Sequence, residues 1–238
     1  SAAVDAALER GAPDGRREAM RLLDRHVGDR RREGIVWLIG AGPGAEDLLT
    51  LRAQRLLQEA DVIVHDGLVP EAVVQMGRRD AERIAVGKAK GRHSVSQSRI
   101  NALLVKLATE GKKVARLKSG DPMVFGRAGE ELTALRQAGI AYAVVPGITA
   151  ALAAAADSAT PVTLRGVASG LVVATAHAAD NAEVTHWAGL AREGFTLGIY
   201  MGKSVAAEVA GQLIGNKLER RTPVGIVVNA GRVERRLY

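Results

Sequence analysis

Residues 35–39 read Ile-Val-Trp-Leu-Ile, an unbroken apolar run closed on either side by Gly34 and Gly40. The run is strand length and too short for a helix. It shows none of the in–out alternation of a strand with one wet face. A strand apolar on both faces belongs in a parallel sheet covered by helices on its two sides. The run therefore argues for an α/β fold before any other residue is read.

The next hundred residues keep that rhythm. After Gly40-Ala-Gly-Pro-Gly44, residues 48–60 place apolar side chains at 48, 49, 51, 53, 56, 57 and 60, a helical stripe. Strands are expected over 62–65, 83–86, 113–118 and 141–145, with helices over 98–110 and 129–138. Past the break at Pro146-Gly147 the pattern predicts a small-residue helix over 148–156 and strands over 171–175, 196–201 and 224–228. A helix over 205–214 completes it. This alternation predicts two α/β domains with mostly parallel sheets and a ligand cleft between them. The first would span 34–145. The second would span 146–238 and be incomplete at its C-terminal end. Residues 1–33 are rich in Ala and Arg and broken by Gly11, Pro13, Gly15 and Gly28, so they read as a helical N-terminal extension and linker.

Composition removes several kinds of chemistry. The absence of cysteine excludes disulfides, thiolate metal sites and a thiol nucleophile. His65, His93, His177 and His186 are scattered without ligand spacing, so no metal is expected. No apolar run approaches the roughly 18 residues of a membrane span, and no leader opens the chain; a cytoplasmic protein with no membrane partner is expected. The net charge of +7 calls for an anionic partner. With aromatics at 3%, there are few rings for stacking bases, and nucleic acid is not expected.

Familiar nucleotide loops do not fit either. Gly40-Ala-Gly-Pro-Gly44 suggests a dinucleotide turn, but Pro43 deletes an N–H from any phosphate cradle. Lys118-Ser119-Gly120 lacks the upstream glycine of a phosphate loop, and no Gly-x-Ser-x-Gly elbow is present. What remains is a series of glycine-marked strand ends: 40–44, 65–69, 87–88, 118–127, 146–150 and 201–202. In parallel α/β sheets ligands bind outside the carboxyl ends of the strands, so these corners are expected to meet around one small polar ligand. The segment Arg116-Leu-Lys-Ser-Gly-Asp-Pro-Met-Val-Phe-Gly-Arg127, with its tight bend at Gly120-Asp121-Pro122, is the leading candidate for a ligand-wrapping loop.

Together these segments resemble the tetrapyrrole methylase family from Gly34 to about Ala230. The resemblance rests on Val36 to Gly44, Ala60 to Asp66, Val86-Gly-Lys88, His93-Ser-Val95, Arg116 to Glu131, Val145 to Ala150, Pro161-Val-Thr163, Tyr200-Met201 and Pro223-Val224. It is strongest to members that methylate uroporphyrinogen III, whether free-standing or as the C-terminal module of a fused enzyme. Residues 1–33 faintly resemble the helical end of the module that precedes it there.

The resemblance implies S-adenosylmethionine as methyl donor, S-adenosylhomocysteine as product, and a homodimer. It implies C-methylation of a polycarboxylate tetrapyrrole, uroporphyrinogen III, to precorrin-2, on the route to siroheme and cobalamin. Asp66 would be the base, Lys88 the acid or electrostatic partner, and Arg127 a partner of substrate carboxylates. Pro43, Ser119, Gly120, Asp121, Val124, Thr149, Ala150, Met201 and Ala230 would hold the cofactor, with Asp121 on its ammonium. The alternatives are another member of the family (a later corrin, diphthine or rRNA methyltransferase) and a weakened binder of cofactor or tetrapyrrole.

Several residues depart from the family's usual choice: Ser119 and Ala128 replace glycine, Ala89 arginine, Leu164 histidine, Ala176 glycine and Val228 glutamate. If residue 119 must take a positive φ, serine there costs about 1 kcal/mol.

Overall fold

A computed structural model describes residues 33–87, 95–176 and 181–238. The expected helical extension lies almost wholly outside them, as do Lys88, Ala89, His93 and His177.

The apolar run becomes β1 (Ile35–Gly40), joined by β2 (Val62–His65), β3 (Glu82–Ala85), β4 (Lys113–Lys118) and β5 (Ala141–Val145). These five strands form one sheet in the order β3-β2-β4-β1-β5, every pairing parallel. Helix α1 (Leu51–Glu59) follows β1, and a short helix α2 (Glu71–Gln75) follows β2. Both pack on the face that carries Trp37, Ile39, Ile63, Ala115 and Leu117. After β3 the winding reverses. Helices α3 (Gln97–Thr109) and α4 (Ala128–Gln137) cover the opposite face with Val36, Leu38, Val62, Val64 and Val114. Burial on both sides explains why β1 shows no alternation.

Local signals set the helix starts. Thr50 accepts a hydrogen bond from the Ala53 N–H at 3.1 Å to open α1, and Ser96 caps α3 through the Arg99 N–H.

Among the described residues, no strand after residue 145 joins this sheet. Helix α5 (Ala150–Asp157) leads to β6 (Gly170–Thr175), α6 (Asn181–Arg192), β7 (Phe195–Tyr200) and α7 (Ala206–Gly215). Strands β6 and β7 pair in parallel, and α6 and α7 close over them through Val184, Trp187, Val209 and Leu213. The chain ends with β8 (Val227–Val228) against β9 (Arg236–Leu237), an antiparallel pair. The architecture is α/β with mostly parallel sheets, as expected.

Several elements differ from the sequence expectation. The 48–60 helix begins as a 3-10 turn (Glu46–Leu48) and becomes α-helical only after Thr50. The strand expected over 224–228 shrinks to two residues, because its partner β9 is itself two residues long. Helices α2 and α6 lie outside the sequence expectation, although Val184, Trp187 and Ala188 of α6 follow helical spacing.

Candidate active site

The carboxyl ends of β1 and β4 lie side by side at the middle of the sheet. Gly42 and Gly120 exchange two backbone hydrogen bonds there, at 2.7 and 3.2 Å. Gly147 closes the corner from the end of β5. A Cβ on Gly147 would lie 2.2 Å from the Gly120 carbonyl oxygen, and one on Gly40 would lie 2.5 Å from the Gly147 nitrogen. Three distant backbones thus meet at a separation that only glycine allows. Asp121 fastens the corner: one carboxylate oxygen accepts the Met123 N–H at 2.7 Å and the other the Gly147 N–H at 3.0 Å.

The second lobe enters through the start of α5. The Tyr200 hydroxyl bonds the Thr149 hydroxyl at 2.6 Å and accepts the Ala151 N–H at 2.9 Å. Its ring stands 5.1 Å from that of Phe125. From the C-terminal segment, Gly231 packs on Pro43, and its carbonyl accepts the Ala45 N–H at 3.0 Å. Of the expected cofactor residues, Pro43, Gly120, Asp121 and Thr149 take part in these contacts, and Ala150, Met201 and Ala230 stand next in the chain to residues that do. Ser119 and Val124 face the adjoining pocket described below.

Strain gathers at the same place. Six non-glycine residues among those described take a positive φ; Phe125 (52°) and Arg127 (54°) line the adjoining pocket, Met201 (58°) directly follows Tyr200, and Asn229 (57°) lies two residues before Gly231. Each costs about 1–2 kcal/mol relative to ordinary backbone, and such conformations persist where surrounding structure holds them for a purpose. Ser119 is not among them, so the cost expected of its serine is absent. The left-handed position in this loop is Gly120, at 69°.

Beside the glycine corner lies a pocket of about 230 Å³ whose walls include Asp66, Gln97, Arg116, Lys118, Phe125 and Arg127. Strand periodicity explains its floor. Arg116 is in register with Val64 and Leu38, so Arg116 and Lys118 share the face covered by α3 and α4. Asp66, one residue beyond β2, falls on that face too. Arg116 is 1% exposed and donates to Asp66 at 2.6 Å and to Glu131 at 3.1 Å. Lys118 donates to the same Glu131 oxygen at 2.9 Å, and Gln97 adds a third donor at 3.1 Å.

Two cations and two carboxylates thus balance in the interior. Burial, and after it the Arg116 charge, pushes the Lys118 ammonium below the usual lysine range, against the pull of Glu131 and Asp66. The second Glu131 oxygen has no partner among the described residues.

Asp66 sits at the mouth of this network, its side chain 30% exposed and its orientation held by a guanidinium that cannot move. Lys88 lies outside the described residues, but its neighbour Gly87 abuts the Asp66 loop: a Cβ there would be 2.0 Å from the Gly67 nitrogen. Arg127 reaches the pocket rim as a solvent-exposed residue paired with Glu130 at 2.7 and 2.9 Å. Its guanidinium is spoken for, by a partner that solvent screening makes easy to exchange.

The sequence reading did not single out Arg116, Lys118 and Glu131 as a buried unit. The signal is the pair of cations at alternate positions 116 and 118, at the carboxyl end of the strand. Such a pair reads as a wet face until the strand is known to be central. Among the described residues no cluster of potential metal ligands occurs, and no helix is long and apolar enough to cross a membrane.

Comparison with known proteins places this site in context. Residues 35–238 match the family described as Tetrapyrrole (Corrin/Porphyrin) Methylases. A siroheme synthase of Nitrosomonas eutropha is 49% identical over 194 residues, covering 82% of this chain and 41% of that protein. The chain therefore spans less than half the length of such relatives. A uroporphyrin-III C-methyltransferase of Thermus thermophilus, solved in complex with S-adenosylhomocysteine, matches with a TM-score of 0.74 at 37% identity, covering 86% of this chain and 87% of that one. A cobalt precorrin-4 methyltransferase matches with a TM-score of 0.75 at 26% identity, covering 86% and 84%.

Proposed function

The chain belongs to the tetrapyrrole methylase family, and from that premise we propose that it C-methylates uroporphyrinogen III to precorrin-2 with S-adenosylmethionine as donor. The observation that carries this reading is the meeting of the 40–44, 118–127, 147–150 and 200–201 corners beside a rigidly held Asp66. Such a cradle, narrowed to glycine where backbones touch, suits a small molecule gripped mainly through main-chain atoms. That accounts for a cofactor set with so little side-chain chemistry: Pro43, Ser119, Gly120, Asp121, Val124, Thr149, Ala150, Met201 and Ala230. Asp121 would serve the ammonium of the donor with lone pairs not used by Met123 and Gly147.

S-adenosylmethionine supplies an activated methyl on sulfur. The residues of this chain supply position, exclusion of water and a destination for the proton. The pyrrole carbon is already nucleophilic, so no side chain need attack. Asp66 receives the proton lost from the methylated ring system, and Arg116 keeps that carboxylate aimed at the pocket. Lys88 acts as acid or electrostatic partner, and Arg127 exchanges Glu130 for a substrate carboxylate.

The pocket beside Asp66 has room for one five-membered ring with a short side chain. The other rings then extend into the open cleft, where the basic surface of the protein meets their carboxylates. Residues 34–145 and 146–238 act as the two walls of that cleft, and a homodimer is part of the same reading.

The test is anaerobic incubation of the protein with uroporphyrinogen III and methyl-labelled donor. Two labelled methyl groups on the tetrapyrrole are expected. Binding of S-adenosylhomocysteine without any methylated product would instead make the chain a binder, and transfer only to a later corrin would make it another member of the family.

A further inference from the structure

Arg232 makes two contacts that no part of the proposed chemistry uses. Its Nε donates to the Pro43 carbonyl at 3.2 Å, and its Nη2 donates to the Leu68 carbonyl at 2.7 Å. One of these carbonyls belongs to the loop after β1, which borders the cofactor cradle. The other lies two residues beyond Asp66. A single guanidinium from the C-terminal segment therefore spans the two loops whose spacing decides how far the donor stands from the base.

The surroundings are shaped to hold it. A Cβ on Gly44 would lie 2.6 Å from both Cγ and Nε of Arg232, so the loop leaves its side chain absent where the arginine crosses. Next to it, Gly231 takes φ 67°, and a Cβ there would meet Pro43 at 2.3 Å. The Gly231 N–H is anchored in turn by Asp157 at 2.6 Å, and Asp157 also faces Arg235 at 3.5 Å. The segment is thus fixed at its base, and Arg232 projects from it across the gap. Its planar fork, with donors in fixed directions, suits two carbonyls at once in a way an ammonium does not.

We propose that Arg232 is a positioning residue that braces the Pro43 loop against the Asp66 loop and so sets the register between methyl donor and proton acceptor. The inference rests on the proposed methyltransferase reading. It assigns Arg232 no contact with either substrate: removal leaves every proposed ligand contact in place and loosens only their spacing. Misplacement by about 1 Å is enough to cost about 10²-fold in rate.

Arg232→Ala is compared with Arg232→Lys and with Arg236→Ala, which removes an exposed arginine of the same segment that takes no part in the Asp157 anchor. Calorimetry reads S-adenosylhomocysteine affinity, turnover assays give kcat and KM, and amide exchange is followed over 42–46 and 66–69. Arg232→Ala is expected to weaken binding about tenfold, to lower kcat more than it raises the tetrapyrrole KM, and to speed exchange in both loops. Arg232→Lys recovers part of the affinity, since an ammonium reaches one carbonyl, while Arg236→Ala changes none of the three.

Unchanged affinity and exchange in Arg232→Ala overturn the proposal. So does a fall in melting temperature shared equally by Arg232→Ala and Arg236→Ala, which marks the segment as merely structural. Wild-type protein that neither binds S-adenosylhomocysteine nor turns over refutes the methyltransferase reading, while loop exchange still judges the brace.

Discussion

Replacing Glu131 by glutamine keeps the side chain's volume and one acceptor but removes the charge on which the interior network is balanced. Glu131 is fully buried and faces both Arg116, 1% exposed, and Lys118, 4% exposed. Removing one member of such a pair costs about 3–5 kcal/mol, because the partner is left charged in a poor solvent. Here the two partners differ. Arg116 keeps Asp66 at 2.6 Å and stays protonated at any working pH. Lys118 has no other carboxylate within hydrogen-bonding reach among the described residues, and burial already pulls its ionisation down. It escapes by losing its proton.

That escape has a pH signature. In the variant Lys118 is neutral when folded and protonated when unfolded, with an unfolded value of about 10.4. The unfolded state then binds one proton more, so the variant gains about 1.4 kcal/mol of stability for each unit that the pH rises toward that value. The destabilisation of about 3–5 kcal/mol at pH 7 should therefore shrink by about 2.7 kcal/mol at pH 9. Urea melts followed by circular dichroism at pH 7, 8 and 9 measure it. Glu131→Gln/Lys118→Met, with no unpaired cation at that position, should be more stable at pH 7 than Glu131→Gln alone. A loss under about 1 kcal/mol, or one that stays flat with pH, refutes the reasoning.

Asp66→Asn removes the proposed proton acceptor without emptying the pocket. Initial rates should fall by about 10²–10⁴-fold, with S-adenosylhomocysteine affinity by calorimetry within error of wild type; a rate within a factor of about three would relieve Asp66 of that role. Lys217→Gly relaxes a positive φ of 70° just past α7, away from the cleft; thermal melts should show a gain of about 1 kcal/mol with kinetics untouched. Asp61 accepts the Lys113 N–H at 2.9 Å and pairs with Arg78 at 3.2 Å, and these contacts outweigh burial to hold its carboxyl below the usual range. Its contribution is complete above the unfolded aspartate value of about 3.9 and disappears as pH falls through the lower folded value. Urea melts should therefore show a deficit in Asp61→Asn at pH 6 that narrows toward pH 3, and a constant deficit would sink the assignment.

How far the residues alone foretold this follows from where the information sits. The expected strands 62–65, 113–118 and 141–145 match the observed bounds; at 62–64 and 141–145 an apolar run that ends at a polar residue or at Pro146-Gly147 carries its own length signal. The convergence of glycine corners was also legible. A small residue at every strand end means that something approaches closely, and Gly40, Gly120 and Gly147 approach one another. What could not be read was strand order. Nothing local states that β4 inserts between β2 and β1, so the sequence marks Arg116 and Lys118 only as part of a ligand-wrapping segment and not as a buried ion network. Arg232 was hidden for a related reason: its partners are 164 and 189 residues away and are carbonyls, which leave no mark on a sequence. Strain at Phe125, Arg127 and Met201 was equally silent, since none is a residue type that announces a left-handed backbone.

The placement of β4 bears on the order in which the molecule is assembled. The central strand is synthesised after both of its neighbours in the sheet, β1 and β2, and it brings two cations whose shared counter-ion stands 13 and 15 residues further along the chain. A ribosome-bound chain that has emerged only through β4 holds every strand that flanks the gap but not the carboxylate that neutralises its filling. The middle of the sheet is sealed only when α4 arrives. Translation and charge neutralisation are in this way locked to the same short stretch of the chain.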